Sequence, residues 1–278
     1  MTIGEALKQI HLQAGLTQTQ MAADIITESF YSKVERVVHS IDADTLINLL
    51  TAHHLDVIHF FTLIANQKSV AQPHFDLVNK ITFAQNRKDI RALDKIASEI
   101  QNGGGSEEFY LQFRLQNAYA WVLHSNKMVS SEIKKKVKSL ILDENWNRPA
   151  YHYLSQAIIF LDIDEAYYLV NSAFNAFKRS EKRDTFSLQF VALIAVNYLN
   201  CCYHQKVDKK YTSCAIDFLH SLPIDASIGL NSILGTYYEA LFNNDVQTQK
   251  MVALILKKSG YLSTIEDTLS KKLLEELK

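Results

Sequence analysis

The sequence predicts an all-α protein in two parts: a small N-terminal domain of five helices, then a solenoid of helical hairpins that ends in a capping helix. Its 278 residues exceed what a single hydrophobic core usually organises. Only eight glycines and three prolines are present, and 47% of the residues are apolar. This composition is typical of a nearly all-helical protein. We predict domains at 1–66 and 67–278.

Charge and cysteine content limit the class of protein. The formal net charge is −1, which provides no overall field to attract a polyanion or an acidic membrane. The three cysteines, Cys201, Cys202 and Cys214, are odd in number and clustered, which suits a reducing cytosol. The N-terminus lacks the apolar run of a signal peptide, and no stretch approaches the eighteen or so uncharged apolar residues of a spanning helix. We therefore expect a cytoplasmic protein that does not contact a membrane.

The first three helices are predicted from apolar spacing and end signals. Apolar residues recur at helical spacing up to Ala14, and Gly15 then provides a C-terminal stop. Thr17 precedes Gln20 by three residues, the spacing of a capping box. After a tight connection, a third helix runs from Glu28 to about residue 34. The outward-facing residues predicted at this helix are Glu28, Ser29, Phe30, Ser32, Lys33 and Arg36.

A fourth helix is predicted from Asp44 and a fifth from Asp56. Five short helices, of which the second and third are joined by a tight turn, form the helix-turn-helix layout. In that layout the third helix lies in the DNA major groove. The alternative is a five-helix bundle in which the same hairpin has no DNA-binding role.

Particular residues in this region resemble a known family. Residues 15–18 (GLTQ), 21–22 (MA) and 32–36 (SKVER) resemble the helix-turn-helix of phage repressors. The longer run ITESFYSKVER is similar to the Rgg (Rgg/GadR/MutR) branch of the cytosolic peptide-pheromone receptors. The resemblance in sequence is close over about the first 65 residues. In the rest of the chain only the predicted helical architecture is similar. Two positions depart from the pattern: Val37 stands where Gly is usual, and His11 where Arg is common.

The predicted DNA contacts lie in an acidic domain. Residues 1–66 carry three basic and seven acidic side chains, a net charge of −4 with neutral histidines. Such a domain resists non-specific binding, because affinity for DNA depends on phosphate neutralisation. We therefore expect a homodimer that binds a double-stranded operator through two half-sites.

Five of the predicted DNA-contacting residues have an assigned chemical role. Lys33 is predicted to donate to guanine, Phe30 to meet a thymine methyl and Ser29 to read a base edge. Glu28 is predicted to accept from cytosine N4, or alternatively to interact only with the helix dipole. Gln18, with the helix-two amides, is predicted to bind a phosphate. Ser32 and Arg36 complete the set.

From residue 73 onward, apolar periodicity indicates helix pairs of roughly 35 to 45 residues. Their breaks coincide with turn signals, including the glycines at 103–105 and Pro223. This spacing is typical of tetratricopeptide-like repeats, which stack into a solenoid with a concave groove. The last helix, about 263–277, carries an apolar stripe that either covers the final repeat or binds a partner. Its members are Ile265, Leu269, Leu273, Leu274 and Leu277.

Polar residues on the first helices of these pairs are the candidate groove residues. Side-chain amides both donate and accept, so they suit the backbone of an extended peptide. The alternative is that they satisfy buried helix ends or face water. The Rgg resemblance implies that the groove binds a short signalling peptide and that the C-terminal region dimerises. The candidates are Arg114, Asn117, Gln189, Asn197, Asn200 and Asn231.

Motifs of common catalytic sites are missing from the sequence. It contains no glycine-rich phosphate loop, Gly-x-Ser-x-Gly elbow or His-Glu-x-x-His motif. Because these motifs are missing, we expect no enzyme and no cofactor. The cysteines lack paired metal-ligand spacing, so we also expect no metal site. The predicted function is transcription regulation controlled by a peptide pheromone. Two alternatives stay open: a protein-binding scaffold that does not bind DNA, and a regulator that senses a metabolite or redox state.

Overall fold

The computed structural model describes residues 1–68, 73–102, 108–142, 146–181 and 184–277. Within those ranges every regular element is a helix, which confirms the all-α fold class. The chain divides into two compact units, Met1–Asp76 and Leu77–Lys278. The predicted domain boundary after residue 66 stays a prediction, and the predicted break at 103–105 lies outside the described residues.

Five helices are present in the described residues 1–68, as predicted. The capping box predicted from Thr17 and Gln20 is present at the start of the second helix, and the hydroxyl of Thr27 caps the third. Ile25 and Phe61 are 36% and 42% exposed, because the second helix ends before Ile25 and because Phe60 and Ile64 form the buried face of the fifth. The helices are α1 (Ile3–Gln13), α2 (Gln18–Ala22), α3 (Glu28–Glu35), α4 (Ala43–Ala52) and α5 (Val57–Lys68).

The turn after α3 keeps a left-handed conformation despite a β-branched residue. Val37 has φ +60°, and its N–H donates to the Val34 carbonyl while the Val38 N–H donates to the Lys33 carbonyl. These two bonds form a Schellman motif, in which glycine is usually favoured. The loop therefore follows the course that glycine would allow, with valine in a strained position.

Within the described ranges from residue 73 onward, ten helices in consecutive pairs form the array. Packing of α10 against α12 and of α12 against α14 brings first helices of successive pairs together. This stacking is the arrangement of a helical-hairpin solenoid. The helices are α6 (Pro73–Asn86), α7 (Ile90–Asn102), α8 (Phe109–Leu123), α9 (Ser131–Ile141), α10 (Arg148–Ala157), α11 (Ile163–Arg179), α12 (Thr185–His204), α13 (Lys209–Ser221), α14 (Gly229–Phe242) and α15 (Val246–Lys258).

The C-terminal segment differs from the single helix predicted. Two 3-10 turns, Leu262–Thr264 and Glu266–Thr268, precede a short α16 (Lys271–Leu277). Ile265, Leu269 and Leu273 are buried in the core of the second unit. The buried members of the apolar stripe therefore cover the last repeat, which is the first of the two roles considered for it. The Leu277 side chain lies outside the described residues.

Helix α12 corrects the expectation that no stretch of the sequence approaches the length and apolarity of a spanning helix. In the described part of the chain, α12 is the one unbroken helix that is long and apolar enough to cross a membrane. Helix α4 and the first part of α5 meet the same criterion only as a pair, and this pair is bent by 118°. However, 67% of the apolar window of α12 is buried inside the protein. Such burial is typical of the central helix of a helical core.

Candidate functional site

The outward face of α3 is the first candidate site. Glu28, Ser29 and Arg36 are exposed, whereas Phe30, Ser32 and Lys33 are half-buried. The Phe30 ring stacks on His39 with 5.9 Å between ring centroids. The Arg36 Nε donates to the Ser32 carbonyl at 3.2 Å, which holds that side chain along its own helix. The six predicted α3 residues thus all retain solvent access, but only three of them project fully.

A buried polar network supports α3 from behind. The Glu35 carboxylate is 4% exposed and pairs with His11 Nδ1. Gln18 Nε2 donates to the other Glu35 oxygen at 2.7 Å. Burial, with the nearby Glu35 charge, raises the pKa of Tyr31 well above its usual range. His11, at the position where Arg is common in the family, therefore has a buried carboxylate as its partner.

The position of Gln18 changes its predicted role. Its carboxamide joins α2 to the buried end of α3, so a side-chain contact with a phosphate would first have to break the bond to Glu35. Glu28 is likewise bonded within the unit, because its carboxylate accepts from the Thr19 hydroxyl. Both side chains fix the second and third helices to each other, a role that sequence spacing did not reveal.

Helix α1 approaches α3 without space for a side chain at Gly4. A Cβ on Gly4 would lie 2.0 Å from the Val34 carbonyl oxygen and 3.0 Å from the Val34 carbonyl carbon. No local pattern in the sequence indicates this role of Gly4, because it depends on a contact with a distant helix. The close approach sets how α3 is seated on the rest of the first unit.

The second candidate site is a cavity of about 630 Å³ inside the second unit. This volume lies in the usual range for small-ligand sites. Residues of α6, α8, α10, α12 and α14 line it together with the C-terminal turns. Apolar side chains alternate with polar ones; the apolar members include Trp121, Val122, Leu193, Val196, Leu230 and Leu234.

Arg114 provides a buried positive charge in the cavity wall. It is 6% exposed, and its guanidinium donates to the Gln156 side chain and, at 3.0 Å, to the Thr82 hydroxyl. Among the residues that the structure describes, no carboxylate pairs with it. Burial lowers the pKa of Arg114, because a desolvated charge is disfavoured. A buried cation without a counter-charge favours an anionic ligand group.

Three of the predicted amides line the cavity. Asn197 Nδ2 donates to the Ser155 carbonyl at 2.8 Å, and Asn200 Nδ2 donates to the Tyr238 hydroxyl at 3.0 Å. The side chain of Asn231, on α14, makes no hydrogen bond in the described ranges. The buried Asn200 Oδ1 also has none there, so acceptor capacity is left at the wall.

The other two predicted amides do not belong to the lining. Asn117 is fully buried and donates to Gln156 at 3.3 Å, behind the guanidinium of Arg114. Gln189 lies on α12 one turn before Leu193, where the lining of this helix begins. Shared helical spacing did not reveal that Asn117 is buried behind the lining or that the lining of α12 begins only at Leu193.

An acid and imidazole cluster that was not predicted from the sequence lies at the cavity. His204 Nε2 lies 2.7 Å and His124 Nε2 3.4 Å from Asp267 Oδ2, and the two rings stack at 4.0 Å. Lys88 Nζ lies 3.4 Å from the other Asp267 oxygen, and Asn200 Nδ2 also donates to Oδ2 at 3.2 Å. These residues are far apart in the sequence, so no local spacing could have indicated the cluster.

The environment sets the protonation of this cluster. Burial alone opposes ionisation of Asp267, but the hydrogen bonds from His204 and Asn200 and the charge of Lys88 outweigh it and hold the pKa of Asp267 well below its usual value. Burial and the neighbouring His204 lower the pKa of His124. The carboxylate is therefore ionised and His124 neutral at neutral pH.

The cysteines are shielded rather than reactive. Cys201 and Cys202 are buried and Cys214 is half-buried, and all three are free thiols. Burial raises the pKa of Cys202 to about 12 and also raises the pKa of the other two thiols. Because the thiolate is the reactive form, this environment disfavours the redox-sensing alternative.

Comparison with known proteins gives structural likeness without close sequence relatives. No family model and no curated protein matches the chain. The SHP pheromone receptor Rgg2 of Streptococcus dysgalactiae is similar with a TM-score of 0.71 and 15% identity, over 96% of this chain and 98% of that one. A putative transcriptional regulator from Listeria monocytogenes EGD-e has a TM-score of 0.68 and 18% identity, over 99% and 97% of the two chains.

A third similar structure is a complex of a bacterial peptide pheromone with its receptor, described with its mechanism of gene regulation. Its TM-score is 0.63 at 15% identity, over 99% of this chain and 96% of that one. These similarities span nearly the full length of every chain. The chain therefore has the fold of these pheromone receptors and regulators, and the resemblance to the Rgg group is confirmed at the level of fold.

Proposed function

We propose that this protein is a cytoplasmic, sequence-specific DNA-binding transcription regulator whose activity is controlled by a short peptide bound in the cavity of the second unit. The observation that carries the proposal is the cavity itself, within a fold shared over nearly the full length with pheromone receptors. Residues 1–66 would bind the operator. Residues 67–278 would bind the peptide and form a homodimer.

The cavity chemistry supports a peptide as ligand. Side-chain amides at Asn197 and Asn231 offer both donors and acceptors to a peptide backbone. The buried Arg114, which has no described counter-charge, suits a carboxylate of the ligand. Apolar side chains such as Leu193 and Leu230 would receive apolar peptide side chains. A short peptide that is apolar and has one free carboxylate matches this lining.

The first unit supports a DNA-binding role through its α2–turn–α3 arrangement. The N-terminal residues of α3, Glu28 and Ser29, are exposed where base edges would be read. Lys33 and Arg36 put two positive charges near the end of the same helix. Since the unit is acidic, we expect binding to depend on a dimer and on low salt.

Fluorescence anisotropy of the full chain on its own upstream DNA tests the DNA-binding part. In low salt, Lys33→Ala is expected to weaken binding by about tenfold, the effect of losing roughly 1–3 kcal/mol at a base contact. Lys8→Ala is the matched control, because Lys8 is an exposed lysine on α1 outside the predicted contact set. If both variants lose equal affinity, binding depends on net charge and the groove assignment is wrong.

Tryptophan fluorescence tests the peptide part. The chain has two tryptophans, and Trp121 lines the cavity whereas Trp146 does not. A Trp146→Phe variant therefore leaves one reporter at the site. Synthetic peptides encoded by small reading frames beside the gene are the probes. We expect a saturable change with one of them and its loss in Arg114→Gln; a flat signal for every peptide would count against pheromone sensing.

A protein-binding scaffold is the second candidate function. The net charge of −4 in residues 1–66 is the observation that favours it. If the full chain binds no upstream DNA at dimer-forming concentrations, the scaffold becomes the better account. A peptide response without DNA binding would support the peptide-binding part of the proposed function and contradict its DNA-binding part.

A further inference from the structure

The wall of the cavity carries a set of metal-ligating side chains that the proposed function does not use. His124 follows the end of α8, His204 is the last residue of α12, and Asp267 lies in the C-terminal turns. One nitrogen from each imidazole and one carboxylate oxygen lie within 4.8 Å of one another. We propose that these three residues bind one divalent transition-metal ion of the zinc class.

The spacing of the ligand atoms suits such an ion. Zinc binds imidazole nitrogen and carboxylate oxygen at about 2.0–2.2 Å, so tetrahedral ligands lie roughly 3.3 Å apart. The distance from His124 Nε2 to Asp267 Oδ2 is 3.4 Å, and the distance from His204 Nε2 to the same oxygen is 2.7 Å. A modest opening of the shorter contact places an ion between all three atoms.

The donor set selects the metal class. Imidazole with carboxylate suits zinc and neighbouring late transition metals, whereas calcium and magnesium prefer oxygen ligands alone. Both imidazoles direct the same kind of nitrogen, Nε2, toward a single carboxylate oxygen. The two imidazole nitrogens compete for hydrogen bonds to the same Asp267 oxygen. A metal ion bound to all three atoms would replace both hydrogen bonds.

Outer partners of the carboxylate are already in place. Asn200 Nδ2 donates to Asp267 Oδ2 at 3.2 Å, and Lys88 Nζ lies 3.4 Å from Oδ1. Ligating carboxylates in metal sites are commonly oriented by such hydrogen bonds. Independently, Asn200 is 8% exposed and its Oδ1 is buried without a partner in the described ranges. A water bound to the metal is a donor that would satisfy this oxygen.

The metal site would join the end of α8, the end of α12 and the C-terminal turns, and it would leave one coordination position of the metal free. With three protein ligands, a tetrahedral ion keeps one position for water or for a group of a bound ligand. His124 and Asp267 line the cavity, so that position is accessible from its interior. Metal binding would hold the C-terminal turns against α8 and α12 and thereby stabilise the cavity.

Isothermal titration of the metal-free full chain with zinc chloride tests the site, without DNA or peptide. We expect one tight site per chain and a loss of affinity of at least about 100-fold in both His204→Ala and Asp267→Asn. His220→Ala is the control, because His220 also contacts a carboxylate, Glu239 at 3.1 Å, but is 53% exposed and outside the cluster. The control is expected to bind as wild type.

Cobalt provides a second readout. A Co²⁺-loaded chain should show the visible absorption of a tetrahedral site, and His124→Asn, at the most exposed ligand, should remove it while the chain stays folded by circular dichroism. Absence of stoichiometric zinc binding by the wild-type chain overturns the proposal. Equal binding by wild type and His204→Ala also overturns it. Neither result bears on DNA or peptide binding, so the proposed function is tested separately.

Discussion

Replacing Gly4 with alanine tests the seating of α3 on the first unit. Judged by helix propensity alone, this change stabilises a helix, because alanine is the best helix former and glycine among the poorest. The structure predicts the opposite sign. The new Cβ would lie 2.0 Å from the Val34 carbonyl oxygen, a distance that requires α1 and α3 to move apart.

The magnitude follows from two opposing terms. Overpacking against backbone, which cannot rotate aside, costs about 1–3 kcal/mol. The gain in helix propensity is at most about 1 kcal/mol, and less in the first turn of α1, where Gly4 lies. We therefore expect a net loss of about 1–2 kcal/mol in the free energy of unfolding of the first unit.

Amide hydrogen exchange of the full chain measures this loss locally. Protection of α1 and α3 is expected to fall by about tenfold, since roughly 1.4 kcal/mol corresponds to a factor of ten. Gly229→Ala is the control, because a Cβ there meets nothing within 4 Å and φ is −55°. That variant is expected to be neutral or slightly stabilising.

The same variant connects structure to function. If α3 shifts, DNA affinity should fall although no predicted contact residue has changed. Unchanged or increased protection of α1 and α3 in Gly4→Ala would refute the close approach and the inference that Val34 and Gly4 together fix the position of α3.

Three further predictions concern the turn, the buried pair and the thiols. Val37→Gly should be more stable than Val37→Ala by about 1 kcal/mol in urea melts, because φ is +60° and only glycine avoids the strain; equal stability would contradict the left-handed turn. His11→Ala should lower the free energy of unfolding by about 2–3 kcal/mol, since it leaves the buried Glu35 carboxylate with one fewer partner, and a double-mutant cycle with Glu35→Ala should show coupling rather than additivity. Burial raises the pKa of Cys202 to about 12, so its contribution to stability is complete below about pH 8.5 and is lost as pH rises toward that folded-state value. The stability difference between wild type and Cys202→Ala should therefore shrink by about 2 kcal/mol from pH 7 to pH 10, and a constant difference would count against the buried thiol.

Local features of the fold could be predicted because their causes are local. The cap at Thr17 depends on residues only three apart, and the helix pairs follow from apolar periodicity. The left-handed turn was harder to predict: Val37 stands where glycine is usual, yet the backbone bonds of the Schellman motif keep the turn that glycine would take. The strain is tolerated because the Val37 side chain is 53% exposed and displaces nothing.

The site residues were only partly predictable because their surroundings are tertiary. Periodicity put Arg114 and Asn117 on one face, yet a difference of three positions leaves the first in the lining and the second behind it. Asp267 was expected within a continuous helix. Instead the chain breaks into 3-10 turns there, and Asp267 is held by Asn200 and His204, partners 67 and 63 residues away.

In the proposed function, a ligand in the cavity of the second unit controls DNA binding. The most direct test is the operator affinity of the full chain, measured with and without a saturating cavity-binding peptide. We predict a change of about fivefold or more in the Kd for DNA, the lower end of common allosteric couplings, and no change in Arg114→Gln. An operator affinity that is identical with and without bound peptide would contradict the account.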